Sequence, residues 1–357
     1  MKNIIFIISI FMLLSISLNA QGIDPQLSLF NDQPTYMNPA LSGNYDYKWR
    51  VSTSVRDQSG AIATSFKTYA TNFDINLPIN AWAGNIWGFG INVFQDAQSD
   101  AAYTSTNANI NLSVGQYLDP RQEHSLSVGF SGGFGQRAID YSNLYWDSQW
   151  VGEGFQLGRP TGESLNGDVR GYADLGTGLQ YSYNGSGLWD ARIGLAMQHY
   201  NTPEVGLYRD GQGFEMSRKF GLHTDFEYRF NRDSRFYIRP SGYATIQGQI
   251  TNAIVGNDFV FMFNEPTRTT GKRKEYSMTL GVFHRLGLQK NGTSKDAIAT
   301  IKLNLAGFTF GTAYDASIGS QRVLTNYQGA LEVFVCYKAG FQKGSVNGYQ
   351  KFKTGRL

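Results

Sequence analysis

The chain has 357 residues, a formal net charge of +3, 17% charged residues, 41 glycines, 24 phenylalanines, 21 tyrosines and one cysteine. So small a charge excess gives no electrostatic case for a nucleic-acid partner, and a lone cysteine excludes an internal disulfide framework. Mean hydropathy is negative, and after residue 20 no apolar run approaches the ~18 residues of a spanning helix, which leaves strands as the way to cross a membrane.

The amino end carries Lys2, an apolar run from Ile4 to Leu18, and then Asn19-Ala20-Gln21. That order predicts a secretory signal peptide over 1–20, cleaved after Ala20. Residues 21–48 follow as a lead, with Asp24-Pro25-Gln26 and then Asn38-Pro39-Ala40-Leu41-Ser42-Gly43. Proline holds the residue before it extended, and the segment lacks strand alternation. The lead is expected to tuck under or into the rest of the fold, with a disordered leader as the alternative.

From Trp49 onward a period of two takes over. Trp49, Val51, Thr53 and Val55 alternate with Arg50, Ser52, Ser54 and Arg56, and Phe220, Leu222, Thr224, Phe226 and Tyr228 with Gly221, His223, Asp225 and Glu227. A helix would mix these two sets, so each run predicts a strand. About 14 such strands fit between 49 and 337, closing with Leu331, Val333, Val335 and Tyr337 on one face and Glu332 on the other. The expected fold is all-β: a transmembrane outer-membrane β-barrel of about 14 antiparallel strands, with a basic periplasmic tail at 338–357. With both ends periplasmic, the three longest connections, 138–170, 199–217 and 316–328, fall on the outside, where barrels keep their long loops.

Little in the chain points to catalysis. The histidines, His124, His199, His223 and His284, share no metal-binding spacing, and neither a nucleophile elbow nor a phosphate-binding loop occurs. No enzyme activity, cofactor or metal is therefore expected. Charges on the inward set, among them Arg50, Arg56, Asp74, Asp225, Glu227 and Glu332, would cost roughly 2–4 kcal/mol each if a basic one faced lipid at mid-bilayer. Facing inward, they either cross-pair and fill the lumen or line a pore. About 8 strands already give an interior that side chains just fill, so a 14-stranded wall needs a plug or stays open; the lead is the expected plug. The loop 138–170 concentrates Tyr141, Leu144, Tyr145, Trp146, Trp150, Val151, Phe155 and Leu157. Such a patch either binds a partner or packs over the barrel mouth.

Several short motifs in a fixed order resemble the PorP/SprF family of type IX secretion system membrane proteins across the mature chain. They are Asn38-Pro39-Ala40 with Gly43, Arg56 with Gln58, His199 with Pro203, Gly311 with Tyr314-Asp315, and Gly329 with Glu332. The resemblance implies a non-enzymatic outer-membrane barrel, surrounded by outer-membrane lipid, that helps deliver and anchor a large secreted surface protein. That cargo would be an adhesin, as in gliding, held through its type B C-terminal domain. It further implies contact with periplasmic or lipoprotein components of the secretion system. Tyr145, Trp146, Trp150 and Phe155 are the expected cargo contacts. The rival expectation is a passive transporter or porin for small solutes.

Overall fold

The period of two is realised as fourteen strands in the computed structural model. They are β1 (Tyr47–Gln58), β2 (Phe66–Leu77), β3 (Asn85–Gln98), β4 (Tyr103–Tyr117), β5 (His124–Ala138), β6 (Val169–Asn184) and β7 (Trp189–Gln198). The second half comprises β8 (Lys219–Arg229), β9 (Phe236–Gln247), β10 (Ile250–Met262), β11 (Tyr276–Gln289), β12 (Gly292–Leu305), β13 (Phe308–Ser317) and β14 (Gln328–Phe341). The structure describes residues 24–45, 47–58, 65–77, 85–98, 103–140, 144–162, 169–185, 188–207, 214–231, 234–263, 276–289, 292–319, 322 and 327–341. The expected signal peptide and the chain beyond 341 lie outside them.

Each strand pairs antiparallel with its sequence neighbours, and β14 pairs with β1, so the sheet is a closed barrel. Closure leaves no strand edge unpaired, the condition for a sheet in hydrocarbon. The seam runs from Tyr47 opposite Phe341 to Gln58 opposite Ala330. The expected wall therefore reaches further than 337: Lys338 pairs with Arg50, and the first residues of the expected tail are strand. β11 and β12 stay paired up to Gln289 opposite Gly292, so only 290–291 separate the two strands.

The two faces of the wall separate as the alternation requires. On β14, Leu331, Val333 and Val335 are about half exposed, whereas Glu332, Phe334 and Cys336 are buried. At the short-turn end the outward face carries aromatic pairs, with Trp49 and Phe308 both against the Tyr337 ring at 5.3 and 4.4 Å, and Tyr183 against Trp189 at 4.3 Å. Rings of this kind form the interfacial girdle of a membrane barrel. The connections 139–168, 199–218 and 318–327 leave from the opposite end.

Inside, residues 24–45 cross the lumen as an irregular chain with a 3-10 turn at Phe30–Asp32, one α-helical turn at Pro34–Met37 and a second 3-10 turn at Pro39–Leu41. Phe30, Leu29, Met37 and Leu41 join Tyr243, Ile254, Phe283, Ile298 and Phe334 of the wall in one apolar cluster. The protein thus has two apolar surfaces, one toward lipid and one binding the lead to β9–β14. Val333, on the lipid face near mid-strand, separates them experimentally. Val333→Arg is expected to lower unfolding stability in lipid vesicles by about 2–4 kcal/mol, and Val333→Leu to leave it unchanged, as read from urea unfolding curves.

Candidate functional site: a filled lumen beneath an aromatic loop

The lead is held at three depths by buried charge. Ser28 is the hub of the first. Its backbone N–H donates to Glu332 Oε2 at 2.7 Å and its hydroxyl donates to Asp315 at 2.7 Å. The same hydroxyl accepts from Arg56 Nη1 at 2.5 Å and Arg285 Nη2 at 2.7 Å. Both guanidinium groups also bind Asp315 Oδ2 at 2.7 Å. Arg56, Asp315 and Glu332 are at most 2% exposed. Two cations thus face two carboxylates, and buried charges persist where they are paired in this way. Gln58 extends the cluster by accepting from Arg56 Nη2 at 3.4 Å.

A second anchor lies at the long-loop end. His199 Nε2 and Lys219 Nζ bind Asp24 Oδ2 at 2.9 and 3.1 Å, and His199 Nδ1 binds Asp174 Oδ1 at 2.9 Å. Two carboxylates on one imidazole favour its doubly protonated form, in which both ring nitrogens donate. Burial works against that charge, but Asp24 and Asp174 outweigh it and push the His199 pKa up to about 9. Asp24, for which burial alone would raise the pKa, is held below the usual carboxylate range by His199 and Lys219. Deeper in the lumen, Lys302 Nζ pairs with Asp32 at 2.7 Å.

Toward the short-turn end the anchors are neutral or backbone-mediated. Asn38 is fully buried; its Oδ1 accepts from Ala40 N at 2.9 Å while Nδ2 donates to the carbonyls of Leu179 and Leu195 at 3.0 and 3.2 Å. One amide thereby caps the turn opened by Pro39 and ties the lead to β6 and β7. Ala40 is 0% exposed, and its backbone lies directly on Gly129 of β5, where any side chain would collide. Gly43 has φ +62 and donates to Asp74 Oδ2 at 3.0 Å. A Cβ there would sit 2.6 Å from the Ile75 carbonyl oxygen, so both conformation and space demand glycine. Asp74 also takes a bidentate pair from Arg50, at 2.9 and 2.8 Å.

The remaining motif residues have other surroundings. Pro203 is buried in the β7–β8 connection, where its carbonyl accepts from Met216 N at 2.9 Å. That connection folds back so that Val205 and Met216 pack on Tyr172 inside the mouth. Gly311 is buried beneath Lys302 and Phe334, while Tyr314 faces outward at 47% exposure, away from the lumen. Gly329 sits at a register shift between β13 and β14, and a Cβ on it would come within 2.5 Å of the Asp315 carbonyl oxygen. The residues brought together are therefore Arg56, Gln58, Asp315 and Glu332. Ser28 and Arg285 complete their cluster without any motif to announce them, although Arg285 is an inward-phase charge on β11.

Above the mouth, residues 144–162 form a compact loop. Trp150 pairs with Phe155 across a tight turn, and the Phe155 ring lies 5.0 Å from Trp150 and 4.9 Å from Tyr145. Gln149, buried, holds the base through its bonds to Trp146 N and the Arg159 carbonyl. Tyr145, Trp150, Phe155 and Leu157 remain 44–65% exposed, whereas Trp146 is half-buried. Tyr141 lies outside the described residues. Among the described residues no group of three His, Cys, Asp or Glu side chains is placed to hold a metal.

A closed strand wall with a lipid-facing apolar band, an aromatic girdle and an internally paired lumen defines an outer-membrane β-barrel. Solved barrels align with it at low identity. The toluene transporter TbuX of Ralstonia pickettii aligns at 11% identity and TM-score 0.47, over 86% of this chain and 93% of that one. A FadL homologue of Pseudomonas aeruginosa aligns at 10% and 0.48, over 86% and 94%. No curated protein matches the sequence. Residues 19–337 match the model of the type IX secretion system membrane protein PorP/SprF, and the chain belongs to that family.

Two outcomes test the anchors. Arg56→Met is expected to cost about 3–5 kcal/mol of unfolding stability, because Asp315 and Glu332 lose a buried cation. The His199 contribution, whose folded pKa lies above the unfolded value, is fully present below pH 6.5 and is lost as pH rises through about 9. The purified barrel should therefore weaken by on the order of 3 kcal/mol between pH 6.5 and 10, and His199→Gln should flatten that decline in thermal melts.

Proposed function

We propose that this barrel is a non-conducting outer-membrane platform of the type IX secretion system that retains a large secreted surface protein at the cell exterior. The observation that carries the reading is a division of labour along the barrel axis. The lumen holds a lead fixed at Ser28, Asp24, Asp32 and Gly43, and this filling supports a barrel without an open bore. The aromatic surface of Tyr145, Trp150 and Phe155 is instead left facing solvent above it, and exposed aromatic clusters on a braced loop are the usual anchors of protein recognition. The partner that fits the family is a secreted adhesin, engaged through a type B C-terminal domain. The short-turn end faces the periplasm, where ring and lipoprotein components of the system are the counterparts. The signal peptide at 1–20 supplies export.

Replacing Tyr145, Trp150 and Phe155 together by alanine is expected to release one large surface protein into the medium, with barrel abundance unchanged on immunoblots. Surface retention of every secreted protein at wild-type levels would overturn the reading. A passive transporter is the competing function, and the purified barrel in planar bilayers discriminates: the platform gives no steady conductance, whereas a transporter or porin gives open channels.

A further inference from the structure

The lead runs through the barrel in the direction opposite to the strand that follows it. Its first described residue, Asp24, donates its backbone N–H to Gln247 Oε1 at 3.0 Å. Gln247 is the last residue of β9, and the other partners of Asp24, His199 and Lys219, sit where β7 ends and β8 begins. All three positions belong to the long-loop end. Gln26 is next, donating to Thr245 at 2.6 Å. Ser28 meets the outer parts of β1, β13 and β14, and Asn38 meets the middle of β6 and β7. The lead finishes with the Ser42 carbonyl accepting from Ser113 at 2.6 Å, the Gly43 carbonyl accepting from Asn76 at 2.8 Å and Asn44 donating to Ser127 at 3.3 Å. Those partners border the short turns after β2 and β4, the end from which Tyr47 opens β1.

Short turns face the periplasm and long loops the exterior in bacterial outer-membrane barrels. We propose that the amino end of the lead opens to the cell exterior, so that Asp24, Pro25 and Gln26 form part of the external vestibule. Asp24, Pro25 and Gln26 are each half-buried, in contrast to the run from Leu27 to Phe30, which is buried throughout. The lead then enters the lumen from the exterior, whereas β14 leaves the wall at the periplasmic rim, where Phe341 stands opposite Tyr47 at the start of β1. This placement gives a protein docking at the mouth two elements to touch, the loops and the lead. It does not depend on whether an adhesin is what docks.

The test is thiol accessibility on intact cells in a Cys336→Ser background, using a membrane-impermeant maleimide. Pro25→Cys is expected to label on intact cells to the extent of Gly152→Cys on the external loop. Arg121→Cys, in the turn after β4, is expected to label only after the outer membrane is permeabilised. Labelling of Pro25→Cys only after permeabilisation, or in neither condition, overturns the proposal. Should the proline replacement impair assembly, an epitope peptide inserted between Gly22 and Ile23 answers the same question. Antibody binding to intact cells supports the external placement, and binding confined to permeabilised cells refutes it.

Discussion

The rest of this structure depends on a problem of volume. A wall of fourteen strands encloses more space than its own side chains can fill, since about eight strands already leave an interior just matched to them. The inner face of this wall is rich in charge, and charge without partners in a confined space is costly. The lead relieves both demands at once. Its apolar residues, Leu29, Phe30, Met37 and Leu41, fill space against β9–β14, and its polar atoms complete the charge pairs at Asp315 and Glu332, Lys302, and His199 with Lys219.

The Ser28 cluster also links the plug to the closure of the barrel. Arg56 belongs to β1, Asp315 to β13 and Glu332 to β14, and Arg56 stands opposite Glu332 across the seam. The cluster is complete only when β1 meets β14 and the lead lies inside. Filling and closing therefore stabilise each other at this position. Glycines make the close fit possible where the lead lies flat on the wall: side chains at Gly129 or Gly178 would occupy the space of Ala40 and Asn38.

A barrel filled in this way has moved its available chemistry to its ends. The β7–β8 connection tucks Val205 and Met216 under the rim, while the 144–162 loop keeps Tyr145, Trp150 and Phe155 outside. Residues of the family motifs lie mostly within the lumen and the mouth and serve the plug; Tyr314, which faces outward, is the exception. The residues that carry the family resemblance thus line the lumen, while the loop, which carries none of them, exposes its aromatic side chains.

The sequence by itself determined the wall. Alternation of period two settles which residues face lipid before any partner is known, because a one-residue shift would send Arg56, Asp225 and Glu332 into hydrocarbon. It also placed the two longest connections, 139–168 and 199–218, at one end, but not the third in length: 263–275 leaves from the other end and is longer than 318–327. The sequence could not determine which inward charges meet, because Ser28, Arg56, Arg285, Asp315 and Glu332 are drawn from five separate segments and only closure of the barrel brings them within hydrogen-bonding distance. Nor could it determine the direction of the lead. Residues 24–45 have no strand period to orient them, and their course was decided by the positions of complementary charges on the wall, with Asp24 drawn to His199 and Lys219 at one rim and Gly43 to Asp74 near the other.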